Sequence, residues 1–172
     1  KFCRYLPEFG WKPLVLTSKF IAYYTHDESL FEDLNRTLIF RSESLDPARL
    51  FYILGKKAVR WQGGGRSLSW LFSLPDSKIG WLPGAVSAGI KIIDEVDLIF
   101  CTAPPFTSFL VGLALSRLAQ KPLVIDFRDA WLEFPFTPYR GLYRKLNYSM
   151  EKKVVDECQQ IIAVSSAIKE KL

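Results

Sequence analysis

Histidine is almost absent. His26 is the single imidazole in 172 residues, which leaves no material for a His-based catalytic triad or a multi-histidine metal site. It lies in a polar stretch and reads as an exposed turn residue. Cysteine is nearly as scarce: Cys3, Cys101 and Cys158 are odd in number, far apart, and form no CxxC. Each sits in an apolar setting and reads as a small buried hydrophobe of a reducing compartment, which points to the cytosol. No GxGxxG is present. Gly63-Gly64-Gly65 follows no strand and lacks the Lys-Ser/Thr of a P-loop, so it is not a phosphate cradle. No apolar run approaches the ~20 residues needed to span a bilayer; the longest, Phe109 to Leu115, contains Gly112 and reads as helix core. Charges throughout Lys1 to Phe9 do not read as a signal peptide, and none is expected in this stretch.

What remains is an ordinary globular balance, 49% apolar and 24% charged, in a chain of single-domain length that can bury a core without disulfides or metals. The net charge of +5 admits an anionic partner such as a nucleotide, a phospholipid or a lipid pyrophosphate and identifies none of them. Both ends read as cut. The first residue is not Met and Lys1 already lies in a helical pattern, while Ala167 to Leu172 stop partway into an amphipathic segment. An element before Lys1 is therefore expected.

Hydrophobic periodicity gives alternating strands and helices. A helical segment over Lys1 to Phe9 stops at Gly10, a good left-handed stop residue. Strands are expected at 13–17, 37–41, 97–102, 122–126 and 160–164. A polar helical turn is expected around Glu28 to Leu34. Further helices are expected at 46–54, capped by Asp46, and at 84–94, 106–120 and 139–159, with a last one capped by Ser165 or Ser166. The long helix shows Leu142, Leu146, Met150, Val154 and Cys158 at every fourth position. Continuous apolar strands between helices indicate an α/β fold, a doubly wound parallel sheet of Rossmann-like type covered on both faces. Ligands in such sheets sit at the carboxyl ends of the strands. Those ends are Thr17-Ser18, Arg41-Ser42-Glu43, Thr102 to Pro105, Asp126 to Trp131 and Val164-Ser165-Ser166.

The densest polar cluster is Asp126-Phe127-Arg128-Asp129-Ala130-Trp131. Carboxylates accept hydrogen bonds from sugar hydroxyls, a guanidinium fork matches phosphate oxygens, and Trp131 offers a face on which a sugar ring stacks. The alternative is a structural Arg128–Asp129 ion pair with Trp131 packing a loop, and composition leaves both open. Thr102-Ala103-Pro104-Pro105-Phe106-Thr107 follows the preceding strand, and its prolines break any helix and fix an extended connector. Thr102 and Thr107 line the cleft beside the first cluster on one reading; a merely rigid connector is the other. A basic-aromatic segment, expected as an insertion over 55–81, carries Lys56, Lys57, Arg60, Trp61, Arg66 and Trp70. Such a mixture suits an anionic bilayer surface better than single-stranded nucleic acid, and nucleic acid is not expected as a partner. A solvated basic loop over packed aromatics is the bland alternative.

At this point the residues resemble a known family. Arg4-Tyr5-Leu6-Pro7-Glu8-Phe9-Gly10-Trp11-Lys12-Pro13, running into Leu14-Val15-Leu16-Thr17, is similar to the first helix and second strand of bacterial family-four glycosyltransferases. Pro75-Asp76 with Ile79-Gly80-Trp81-Leu82-Pro83 resembles a signature of one branch. Thr102-Ala103-Pro104-Pro105-Phe106, Pro122 to Trp131 and Ile161-Ile162-Ala163-Val164-Ser165 resemble three further segments in the right order. The resemblance implies one half of a GT-B fold, the N-terminal acceptor-side domain spanning 1–172, truncated at both ends. It implies a retaining transferase moving a sugar from a nucleotide-sugar to a lipid-linked acceptor or a cell-surface polysaccharide, on the cytosolic side and peripherally on the membrane.

The nucleotide is then gripped by a C-terminal donor domain, commonly through an E-x7-E element not found here. No cofactor belongs to this chain, and a nucleotide-sugar donor is expected for the complete protein. The resemblance points to Asp129 and Arg128 as catalytic candidates, and to Asp126, Trp131, Thr102, Pro104 and Pro105 as substrate contacts. Many members carry His-Asp after this strand. Here Arg128 stands in the His position and Asp129 keeps the Asp. An Arg is no neutral acid-base at pH 7, so Arg128 suits a phosphate and Asp129 an acceptor hydroxyl. Alone, the chain is expected not to turn over. Two other readings are a non-catalytic module binding anionic lipid or glycan, and a GT-B-type sugar-nucleotide epimerase.

Overall fold

The computed structural model describes residues 2–21, 37–55, 74–132 and 141–172. Backbone pairing sorts the strands into two parallel sheets. In the first, β1 (Leu14–Ser18) pairs with β2 (Leu38–Ser42), with Leu14 opposite Leu38. In the second, β4 (Leu123–Phe127) lies between β3 (Ile99–Ala103) and β5 (Gln160–Ala163). The α/β class and the parallel strands are as the sequence indicates, but the single expected sheet is divided. No ladder joins β1 to β3 among the described residues. Side-chain packing joins them instead, through a helix, α3 (Leu82–Ile90), that touches β1, β2 and the helix after β3.

The strands form where apolar residues run continuously, but only the middle strand, β4, is covered on both faces: Leu38 of β2 and Ile162 of β5 are exposed. Leu123, Ile125 and Phe127 of the middle strand are fully buried. The helix α4 (Thr107–Ala119) packs on this sheet and on α3, burying Phe109, Val111, Leu113 and Leu115, with Leu115 against Gly89 of α3. Gly112 brings α4 close to the sheet, since a β-carbon there would stand 2.2 Å from the Cys101 sulfur. Cys101 is the buried hydrophobe the sequence suggests, and desolvation pushes its thiol up to about 12. Cys3 and Cys158 are only half-buried, and all three thiols are free. Among the described residues no helix is long and apolar enough to cross a membrane.

Local signals act where they were expected. Gly10 closes the opening turns, helix α1 (Phe2–Tyr5) and the 3₁₀ segment Leu6–Phe9, in a left-handed conformation at φ 82°. Asp46 caps α2 (Pro47–Ile53) by accepting from the Arg49 amide at 3.2 Å. Ser165 caps the last short helix, α6 (Ser166–Lys169), by accepting from the Ile168 amide. The turn expected near Glu28 to Leu34 lies outside the described residues.

Two expectations change. The 84–94 helix starts at Leu82, where Pro83 supplies a preset φ in the first turn, and ends at Ile90. Residues 74–81, the end of the expected 55–81 insertion, belong to the packed body: Trp81 is buried, and its indole N–H donates to the Ser42 hydroxyl at 2.7 Å. The four-residue stripe on α5 (Gly141–Glu157) also holds only in its second half. Four residues at about 100° each overshoot a turn by about 40°, so the stripe rotates off the core. Val154 is buried and Met150 and Cys158 pack on the core, whereas Leu142 is 60% exposed. The face is completed by Tyr143, half-buried, and by Asn147, fully buried.

Candidate functional site

The parallel register sets Thr102 opposite Asp126 and Ala103 opposite Phe127, so the two candidate loops leave the sheet side by side. The Thr102 hydroxyl donates to the Asp126 carboxylate at 2.8 Å. One residue further on, the Arg128 amide donates to the Ala103 carbonyl at 3.1 Å, extending the ladder past β4. On the other side the Val164 amide donates to the Phe127 carbonyl at 3.0 Å. Thr102 to Pro105, Arg128-Asp129 and Val164-Ser165 thus form one edge. The ends of β1 and β2 are engaged internally: Arg41 donates to the Ser18 carbonyl at 3.2 Å, and Ser42 is buried under Trp81.

Arg128 is exposed, and its Nη2 donates to the Pro104 carbonyl at 3.1 Å. Among the described residues that is the one bond its side chain makes; it orients the guanidinium and leaves other donors for a ligand. Asp129 is half-buried and makes no hydrogen bond or ion pair with a described residue. The Arg128–Asp129 ion pair considered as a structural alternative is absent among the described residues, because Arg128 turns to the backbone instead. Pro104 and Pro105 are half-buried beside them, in a tight bend rather than an extended connector, with both of their X–Pro bonds cis.

Three sequence expectations are corrected here. Trp131 offers no face to a sugar: it is 0% exposed, stacked on Phe106 with centroids 4.9 Å apart, and its indole N–H donates to Asn147 Oδ1 at 2.9 Å. Asp126 is 4% exposed and already accepts from Thr102, so it forms the floor of the edge and is not a free ligand for hydroxyls. Thr107 does not line the cleft. It is fully buried, and its amide and hydroxyl each donate to Asp76 at 2.9 Å. Lys56, Lys57, Arg60, Trp61, Arg66 and Trp70 lie outside the described residues.

A shallow hollow of about 570 Å³ adjoins the edge at the end of β5, lined by Val164, Ser165, Ser166 and Lys169 among others. The larger hollow, about 680 Å³, lies between α3 and α4 and is nearly all apolar, with Ser87 and Lys91 at its border. It is away from the strand ends and gathers no convergent polar groups, so the smaller one is the better placed for chemistry.

A family model described as Glycosyltransferase Family 4 matches residues 2–172. The chain belongs to that family. No curated protein and no solved structure matches it. The α/β architecture with parallel strands is accordingly a Rossmann-like half of a GT-B fold, and the role is of glycosyltransferase type. Within this family-4 domain, the residues that hold the edge in place carry little local signal: Asp76 stands in a short signature, and Asn147 and Phe106 show no functional pattern in the sequence. Asn147, a polar residue on the core side of a long amphipathic helix, was the signal available.

Proposed function

We propose that this family-4 domain is the acceptor-side half of a retaining glycosyltransferase, which moves a sugar from a nucleotide-sugar onto a lipid-linked or cell-surface polysaccharide acceptor. The observation that supports it is the juxtaposition, just past the carboxyl end of β4, of an oriented guanidinium and a carboxylate that no described residue engages. Arg128, held by the Pro104 carbonyl, faces the diphosphate of the donor and stabilises charge as the bond from the anomeric carbon to the leaving oxygen breaks. Asp129 accepts a hydrogen bond from the acceptor hydroxyl whose oxygen bonds to that carbon, and the hydroxyl's proton passes to the departing diphosphate oxygen. Thr102 and Asp126 hold the floor beneath them. A second Rossmann-like domain grips the nucleotide across the cleft.

The test is to incubate the complete gene product with nucleotide-sugars and candidate acceptors and to follow nucleotide release and glycan mass. Transfer is expected with one donor class, and Asp129→Asn is expected to lower turnover about 100-fold. No transfer and no nucleotide release with any donor would sink the reading.

The basic-aromatic segment supports a second element of the proposal, peripheral contact with an anionic membrane on the cytosolic side. Lys56, Lys57 and Arg60 neutralise lipid phosphates while Trp61 and Trp70 sit at headgroup level. Co-sedimentation with phosphatidylglycerol vesicles is expected to weaken for Trp61→Ala and for Lys56→Ala with Lys57→Ala. Equal sedimentation of wild type and both variants would remove the segment from the argument.

A further inference from the structure

A helix beginning directly after a proline bend has bare amide donors and needs acceptors from elsewhere. At the start of α4 the residue before the helix is Phe106, whose side chain caps nothing, and the first turn holds no acidic residue. The acceptor comes from 31 positions upstream. Asp76 Oδ2 receives the Thr107 amide at 2.9 Å and Oδ1 receives the Thr107 hydroxyl at 2.9 Å. The same carboxylate fixes its own loop by accepting from the Lys78 amide at 2.8 Å. A carboxylate at a helix N-terminus is favoured by the helix dipole as well as by the bonds themselves.

The bend it pins is the one that carries the Pro104 carbonyl. One end of the bend is tied into β3 and the other is tied to Asp76. Between them, Pro104 accepts from the Arg128 guanidinium at 3.1 Å and Ala103 accepts from the Arg128 amide at 3.1 Å. We propose that Asp76 is a positioning residue for Arg128, acting through the capped start of α4 and the Pro104 carbonyl. This rests on the role given to Arg128 above. Asp76 acts at a distance: among the described residues its carboxylate accepts hydrogen bonds from Thr107 and Lys78, not from Arg128.

The experiment uses the full-length protein with Asp76→Ala, Asp76→Asn, Arg128→Ala and the double variant Asp76→Ala/Arg128→Ala. Amide hydrogen exchange is followed in the segments 103–108 and 127–132, with 151–157 of α5 as an internal control. Asp76→Ala is expected to speed exchange in both loop segments and leave the control unchanged. It is expected to lower kcat on the order of 10-fold, with the acceptor KM little altered. Asp76→Asn keeps an oxygen for the Thr107 amide and is expected to recover most of both effects. In the Arg128→Ala background, Asp76→Ala is expected to cost less than about two-fold, because the group it positions is gone.

Additive losses in the double variant would overturn the proposal, as would faster exchange confined to 103–108. Should Asp76→Ala fail to fold, Asp76→Asn decides alone: a partial rise in exchange across both segments supports the coupling, and a rise in the first only defeats it. An Arg128→Ala protein with unchanged turnover defeats the reading of Arg128 itself. Exchange in 127–132 still judges the link from Asp76 in that case.

Discussion

Trp131→Ala is expected to destabilise the protein by about 3–5 kcal/mol, the range for emptying a fully buried tryptophan site. In a domain of this size that is a fall in Tm on the order of 10 °C, measurable by urea or thermal unfolding of the full-length chain. The site has every feature that makes such a loss large. Trp131 has no exposed surface, its ring is stacked 13° from parallel on Phe106, and Phe109 tilts against it at 6.1 Å. Its indole N–H is matched by Asn147 Oδ1 at 2.9 Å, while Asn147 Nδ2 donates to the Tyr143 carbonyl at 3.0 Å. Removing the indole empties the stack and strands a buried amide oxygen, which alone costs about 1–3 kcal/mol.

The companion variants separate these contributions. Trp131→Phe keeps an aromatic ring and loses the donor, so it is expected to lie between wild type and Trp131→Ala. Trp131→Phe combined with Asn147→Leu removes both polar partners and is expected to recover part of that loss, because paired deletion is cheaper than leaving one group unmatched. An open sugar platform behaves oppositely. Its removal leaves the unfolding midpoint within about 0.5 kcal/mol of wild type and weakens substrate binding instead. That outcome would restore the stacking role which the burial of Trp131 argues against.

The contrast between Trp131 and its neighbours shows what was legible in the residues. The strands were, because a segment packed into the core must be largely apolar: Ile99–Cys101 and Leu123–Ile125 declare themselves locally, and the half-buried Leu14–Leu16 does so by its apolar run. Caps made by a residue within three positions were legible too, as at Asp46. The place of the candidate edge follows from the carboxyl ends of the strands, and Thr102, Pro104 and Arg128 lie side by side there with Asp129 next in the chain. What escaped depends on partners distant in the chain. Nothing next to Thr107 shows that Asp76 caps its helix. An indole after a strand serves a cleft or a core equally well, and the decision lies with Asn147, sixteen positions on. The α5 stripe misled for a related reason. Reading only apolar residues selected Leu142 and Leu146, where the helical period selects Tyr143 and Asn147.

Arg128→Ala is expected to lower kcat/KM for sugar transfer about 100-fold in the full-length enzyme, the scale of removing one preorganised donor from a developing anion. Stability is expected to stay nearly constant, since the side chain is exposed and its recorded bond is to a backbone carbonyl. That pairing of a large kinetic loss with an unchanged unfolding midpoint is the inverse of the Trp131 result, and the two variants measured side by side distinguish a working group from a supporting one. Arg128→Lys is the sharper probe. A guanidinium is planar and can donate to the Pro104 carbonyl from one nitrogen while presenting others to phosphate oxygens. An ammonium keeps the charge without that geometry, and must choose between the carbonyl and the phosphate. Lysine is therefore expected to restore only a minor part of the lost activity, and guanidinium ion added to Arg128→Ala to restore more than ammonium does. If Arg128→Lys matches wild type, charge alone suffices and the orienting bond to Pro104 is incidental. If Arg128→Ala transfers sugar within about two-fold of wild type, the guanidinium has no place in the reaction, and Asp129 is left as the candidate group on this edge.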